Sequence, residues 1–361
     1  MLRTRVSIIA GFLGAGKTTL LNTLLRETTE PLGVIVNDFG EVNIDAELVC
    51  GQTSVHGEVA LHNGCICCTL RGDLLTAVLS LIRRPQPTRH IVIEASGISE
   101  PAAIARTFID PRIADLVELS AVIGCVDPAE LPTLVGQDWS LATTQLRACD
   151  FVVLTKSDAS SQGERSVASA LVRTLSPQAR ILESSFNEAP TAVLLGAAGL
   201  WTPGRIARAR PANDPAHVHQ AGEHAHGHHH DQHAHLFETW TYRTTDPLSA
   251  VALRSALERL PHAVVRAKGF VHIGEAPQAK LLVQVVGSRV EFRHHPNTWE
   301  GPPQTELVFL AREGRLEVRE LEGTLDACRY DPRAPGKHYI DEMVGHFSRI
   351  LDAAPNHGGT R

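Results

Sequence analysis

The sequence predicts an α/β protein: a domain built on a doubly wound, mostly parallel sheet, followed by a small α+β C-terminal domain. Three observations predict it. Across the first 200 residues, short apolar runs alternate with amphipathic stretches, the pattern of strands joined by crossover helices. The runs are β-branched and lack polar alternation, as strands covered on both faces should be. From about residue 202 the texture changes to proline, glycine and histidine, and a different, alternating pattern follows. The 361 residues suit two domains at roughly 100–200 residues each.

Taken in order, residues 6–10, 34–37, 91–94, 121–126 and 151–155 read as buried strands. Residues 17–26, 73–83 and 164–175 read as helices between them. Pro203, Gly204, Pro211, Asn213, Asp214 and Pro215 make a linker, since these residue types punctuate regular structure. Residues 217–235 carry nine of the 19 His and almost no apolar side chain, and read as a polar loop. Residues 236–243 alternate as a strand. Asp246-Pro247 then looks like a helix start, Asp as N-cap and Pro in the first turn, with the helix running to about residue 260. Strands fit 264–273, 280–286, 306–310 and 315–319. Finally, Ile340, Met343, Val344, Phe347, Ile350 and Leu351 fall on one face of a helix over 339–351. The expected division is a nucleotide-type domain at 1–202, a linker at 203–235, a second domain at 236–330 and a helix and tail at 331–361.

Composition removes several function classes. Apolar residues at 43% exclude a disordered chain. Lys+Arg 34 against Asp+Glu 40 gives a net charge of −6, so there is no global basic field to hold nucleic acid. No apolar run approaches the roughly 18 residues that cross a bilayer, so no membrane partner is expected. The seven Cys are not spaced as a disulfide framework and suit a reducing compartment. Arg3 and Arg5 ahead of apolar residues 6–16 imitate a secretory signal. A phosphate-binding motif accounts for the same residues, and the chain is read as cytoplasmic.

That motif is Gly11-Phe12-Leu13-Gly14-Ala15-Gly16-Lys17-Thr18, a complete P-loop with a strand before it and a helix after it. Gly11, Gly14, Ala15 and Gly16 let backbone N–H groups converge on phosphate, and the helix start at Thr18 and Thr19 adds its positive dipole end. Lys17 is expected on the β- and γ-phosphates and the Thr18 hydroxyl on Mg²⁺. The apolar run 91–94 ends in Glu94, suited to hold a metal-bound water, and Gly97 follows, suited to sense a γ-phosphate through its N–H. Lys17, Thr18, Glu94 and Gly97 are therefore the expected catalytic set. Thr155-Lys156-Ser157-Asp158 follows another apolar run. A carboxylate at Asp158 can accept both N1–H and N2–H of guanine, a donor pair that adenine lacks, which points to GTP. The Lys156 stem can cover the purine face. The commoner first residue of this pattern is Asn, and Thr155 stands in its place.

Asn63-Gly64-Cys65-Ile66-Cys67-Cys68 puts three Cys into four positions. Thiolates this close repel unless a soft cation neutralises them. Three ligands leave a fourth position open, which suits Zn²⁺ held for transfer; Co²⁺ or Cu⁺ could also bind. His217, His219, His224, His226, His228, His229, His230, His233 and His235 would form a weak, multivalent metal store if they are more than a solvated linker.

The P-loop, the segment Asn37-Asp38-Phe39-Gly40-Glu41-Val42-Asn43-Ile44-Asp45, the Gly64–Cys68 cluster and Glu94-Ala95-Ser96-Gly97 occur in that order. Together they resemble the CobW-type GTPases, a metallochaperone family of P-loop proteins. Residues 236–328, including Arg266-Ala267-Lys268-Gly269 and Trp299, resemble that family's C-terminal domain. The resemblance implies a GTPase whose Cys65, Cys67 and Cys68 hold the metal, and whose Glu41 and Asp45 lie in a switch near Mg²⁺ or the transferred metal. It also implies that Thr69 and Arg71 run close to the nucleotide, and that a client metalloprotein or metal-inserting enzyme is the partner. Subfamilies serve zinc homeostasis, cobalamin synthesis and nitrile hydratase maturation. Slow intrinsic turnover is expected, because no catalytic base or arginine finger stands out. A monomer or a metal-promoted dimer fits equally. The competing expectation is a regulatory GTP switch that docks to a partner enzyme without carrying metal.

Overall fold

The computed structural model describes residues 3–28, 30–37, 57–61, 70–84, 88–108, 113, 115–186, 188–196, 237–295 and 297–332. The chain separates into two compact units, Met1–Leu200 and Trp201–Arg361.

The first unit alternates strand and helix as β1 Thr4–Gly11, α1 Lys17–Glu27, β2 Leu32–Asn37, β3 Gly57–Leu61, α2 Leu70–Ile82, β4 His90–Glu94, α3 Pro101–Phe108, β5 Val117–Val126, α4 Gly136–Arg147, β6 Phe151–Leu154, α5 Gln162–Leu175, β7 Arg180–Glu183 and α6 Thr191–Leu195. The strand order is β3-β2-β4-β1-β5-β6-β7, and every pairing is parallel. Val6, Ile8 and Ala10 face a core shared with Val78, Leu81, Ile104, Phe108, Leu146 and Val172 from α2 to α5. On α1, Leu20, Leu21 and Leu24 are buried, and the helix packs on β1, β4 and α6. Helices on both faces explain why the central strands are mostly apolar.

Two strands of this sheet were not expected, β3 and β7, and both lie at its edges. An edge strand is short and polar enough to blur the buried-strand pattern: β7 opens on Arg180, which is buried, and burial lowers its pKa to about 10. Register decides what meets at the carboxyl edge. Ile9 lies beside Glu94 and Gly11 beside Cys125, while Val126 lies beside Leu154. The ends of β1, β4, β5 and β6 are thus level with one another, the place where open α/β sheets bind ligands.

The second unit runs β8 Phe237–Thr244, α7 Ala250–Glu258, β9 Val264–Val271, β10 Leu281–Val286, β11 Arg289–His294, β12 Thr305–Arg312 and α8 Val318–Asp326. Its antiparallel sheet has the order β11-β10-β9-β12-β8. Leu253 and Leu257 of α7 and Leu321 and Leu325 of α8 share a core with Val283, Leu307 and Phe309. Gly269 on β9 sits where a Cβ would collide with the Glu306 carbonyl oxygen, so the close approach of β9 to β12 demands glycine.

Two expectations are corrected here. Asp246 does not cap α7: it pairs with Arg329 at 3.2 Å, and the buried Leu248 is bridged to Ile273 and Arg329. That pairing holds the chain extended until Ser249. The helix is capped from afar by Glu275, which accepts from the Ser249 hydroxyl at 2.9 Å and from the Ala250 N–H at 3.1 Å. Residues 315–319 do not form a strand either. A turn at Gly314, φ 63°, breaks away from β12, and Val318 opens α8, whose i, i+4 pair Leu321 and Leu325 is buried. Among the described residues no helix is long and apolar enough to cross a membrane. The expected linker at 203–235 and the helix over 339–351 lie outside the described residues.

Candidate functional site

The phosphate loop is shaped by three glycines at positive φ: Gly11 at 144°, Gly14 at 77° and Gly16 at 83°. L side chains avoid such angles. Space excludes them too, since a Cβ on Gly11 would lie 2.5 Å from the Cys125 carbonyl oxygen. Gly16 is the N-cap of α1 and no side chain caps the helix there, which leaves its first N–H groups for an anion. Lys17 donates to the Phe12 carbonyl at 3.1 Å, folding its ammonium over the loop.

The Thr18 hydroxyl donates to Glu94 Oε1 at 2.7 Å. Glu94 is buried, 2% exposed. A hydroxyl and a carboxylate meeting beside a phosphate loop are the hard oxygen donors that Mg²⁺ prefers, so the residues present fit that ion. Gly97 lies directly against the loop: a Cβ there would be 2.6 Å from Leu13 Cδ2 and 3.1 Å from Leu13 N. Cys125 stands just behind. Burial pushes its thiol up to about 12, with Lys17 opposing and Glu94 adding, so it is a neutral wall and not a ligand.

The turn after β6 is tied to the phosphate loop by Thr155. Its buried hydroxyl lies 2.8 Å from the Ala15 carbonyl and 3.0 Å from the Val126 carbonyl, and its single proton serves one at a time. Lys156 takes φ 51° and donates to Asp127 Oδ2 at 2.7 Å. Burial works to raise the Asp127 carboxyl. Lys156 and the N–H groups of Ala129 and Glu130 outweigh it and hold the group below the usual carboxylate range. Asp158 is exposed on the turn that follows β6. The loop after β7 closes against that turn, the Ser157 N–H donating to the Ser184 carbonyl at 3.1 Å.

The structure therefore brings Gly11, Gly14, Ala15, Gly16, Lys17, Thr18, Glu94, Gly97 and Thr155 together. Arg71 falls in the first turn of α2. Glu41, Cys65, Cys67, Cys68, Thr69 and the nine His of 217–235 lie outside the described residues. Among the described residues no group of three or more His, Cys, Asp and Glu is arranged to hold a metal ion. Sequence reasoning passed over Asp127, Gln145 and the loop at Ser184. Val126-Asp127-Pro128 was a usable signal, an acid just past an apolar run as Glu94 ends its own. Gln145 offered none, because its partners lie 48 and 46 residues away.

Comparison with known proteins places this architecture. The nucleotide-binding domain family described as CobW/HypB/UreG matches residues 5–183, and the cobalamin synthesis protein cobW C-terminal domain matches residues 237–329. The chain is 31% identical over 344 residues to the zinc chaperone CobW of Pseudomonas aeruginosa, covering 85% of this chain and 87% of that one. It is 29% identical over 322 residues to the zinc chaperone CobW of a Sinorhizobium species, covering 81% and 88%. Among solved structures it is similar to the Zn(II)-bound YjiA GTPase from E. coli, at 21% identity and a TM-score of 0.42, covering 91% of this chain and 100% of that one.

Proposed function

The chain belongs to the CobW/HypB/UreG family of nucleotide-binding proteins and is a GTPase, and from that premise we propose that it is a metallochaperone that binds zinc and delivers it to a client protein under the control of GTP. One observation carries the reading. β2 and β3 are parallel to β4 and β1, so Asn37 and Leu61 end at the same edge of the sheet as the phosphate loop. The segment with Glu41 leaves from Asn37, and the segment with Cys65, Cys67 and Cys68 leaves from Leu61 and returns at Leu70. A nucleotide at the loop and a metal on the thiolates would thus be served from one edge.

In this reading Lys17 offsets the charge on the β- and γ-phosphates. Thr18 and Glu94 would hold Mg²⁺, which supplies charge neutralisation at the phosphates when bound. The Gly97 N–H donates to the γ-phosphate, and Asp158 accepts from guanine N1–H and N2–H. Zinc is the cargo, held by the three thiolates with Glu41 nearby, and Co²⁺ is the alternative. The 37–45 segment would order around GTP and relax after hydrolysis to GDP and phosphate. That change alters the metal's coordination and releases it. The His-rich stretch gathers metal weakly.

The test is a pair of titrations: zinc affinity with a GTP analogue against GDP, then analogue affinity with and without zinc. We expect each ligand to tighten the other by the same factor, about 5- to 150-fold. Replacing Cys65, Cys67 and Cys68 with Ser should abolish that factor and leave GTP binding. Equal zinc affinity in the two nucleotide states would leave a GTPase that does not control its metal. The chain would then act as a docking switch.

A further inference from the structure

The turn that carries Gly97 is held from behind as well as from the phosphate loop. Gln145 on α4 is 2% exposed. Its Nε2 donates to the Gly97 carbonyl at 2.9 Å and to the Ser99 carbonyl at 3.0 Å. Both amide protons are then used. The turn itself is closed by the Ser99 N–H on the Ser96 carbonyl at 3.0 Å. Gly97 and Ile98 are its central residues, and neither takes a positive φ. The peptide between them is the soft part of such a turn, since its rotation converts one turn type into another. The converted turn would need a positive φ at Ile98, which a β-branched residue resists. Gln145 grips the carbonyl of that very peptide, and Leu13 fills the space where a Gly97 Cβ would stand.

The side chain also shows what this grip costs. Gln145 Oε1 is buried and has no hydrogen-bond partner. A buried acceptor left unpaired lowers stability, so packing alone does not account for an amide here. The donors face the turn and the unsatisfied acceptor is tolerated.

We propose that Gln145 is a positioning residue for GTP hydrolysis. By fixing the Gly97 and Ser99 carbonyls it holds the 96–99 turn in one conformation, and so keeps the Gly97 N–H, on the preceding peptide, aimed at the γ-phosphate. The proposal rests on the γ-phosphate role assigned to Gly97 above. It acts through the backbone, and Gln145 itself touches no substrate.

Two full-length variants test it. Gln145→Met keeps length and removes both donors; Gln145→Glu keeps shape and offers acceptors only. We expect kcat for GTP to fall roughly 10- to 100-fold in both, as a misaimed group does. GDP affinity should change by less than about threefold, because only an interaction with the γ-phosphate is lost. Thr144→Ala, exposed on the same helix, should keep the wild-type kcat. Gly97→Pro, which deletes the N–H, separates the inference from its premise. If that variant hydrolyses GTP normally, the role of Gly97 falls and this proposal with it. If Gly97→Pro is crippled while both Gln145 variants keep the wild-type kcat, only the proposal is overturned. Loss of kcat in step with GDP affinity and melting temperature would make Gln145 structural and overturn it as well. One measurement needs no variant: hydrogen exchange of the Gln145 side-chain amide in the wild type. We expect protection with the GTP analogue bound. Exchange there at the rate of an exposed amide would overturn the proposal.

Discussion

Thr155 shares one hydroxyl proton between Ala15 of the phosphate loop and Val126 at the end of β5. Its methyl group packs behind Gly16. Thr155→Val keeps the shape and deletes the donor. We expect a loss of about 1 kcal/mol, the usual worth of a buried hydrogen bond, read as a melting shift of roughly 2–4 °C for a domain this size. GTP and GDP should weaken together, because the loop that holds both is loosened, and Thr155→Ser should restore both. Asp127 supplies a pH dependence. Its carboxyl is held below the ordinary range, so folding favours the ionised form. That contribution is whole above the unfolded carboxylate value near 4 and disappears as acid protonates the group below it. Unfolding free energy measured downward from neutrality should keep this contribution until about pH 4 and then lose it, and Asp127→Asn should remove that part of the loss. A loss of this contribution already between pH 7 and 5 would point to another group. Lys17 and Thr18 were legible because the phosphate loop is a contiguous pattern whose spacing is its geometry, and Glu94 because it ends an apolar run. Thr155 was legible as a departure from Asn, but its partner stands 140 residues away, beyond the reach of spacing.

Elements were most legible where burial is two-sided. β1, β4 and β6 are buried almost throughout and were placed within about two residues. The edge strands β3, β7 and β11 were missed, since one flank faces no neighbour and the composition relaxes accordingly. Misreadings in the second unit share one cause. Asp246-Pro247 has the chemistry of a helix start, yet Leu248 is committed to backbone pairing with Ile273 and Arg329, so the helix waits for Ser249. Residues 315–319 alternate like a strand, yet the buried pair Leu321 and Leu325 draws Val318 into a helix. Tertiary partners outweighed local preference in both. Gly269 shows the same dependence on a neighbour. In Gly269→Ala a methyl group would meet the Glu306 carbonyl, and β9 and β12 would have to part. We expect destabilisation of the second unit by about 1–3 kcal/mol, as for overpacked sites, seen as an earlier melting transition, with GTP affinity of the first unit retained. An unchanged transition would mean that β9 relaxes freely there.

The chain as a whole joins a nucleotide unit to a sheet domain through the stretch that bears the nine His. Deleting residues 217–235 should leave GTP hydrolysis and melting unchanged, because a polar stretch buries little apolar surface. Zinc bound per chain at millimolar metal should fall, because imidazoles there bind weakly and in number. Equal stoichiometry by equilibrium dialysis would reduce the stretch to a spacer. By itself the sequence determined the α/β class and the phosphate loop, because each is encoded in contiguous residues or in a local period; the readings of Asp158 and of the thiolate cluster rest on the same kind of local pattern. Only the tertiary structure decided that Thr18 meets Glu94, that Thr155 ties the turn after β6 to the phosphate loop, and that Gln145 holds the Gly97 turn. Those contacts join residues 76, 140 and 48 positions apart, and parallel register sets them by levelling the carboxyl ends of strands distant in sequence.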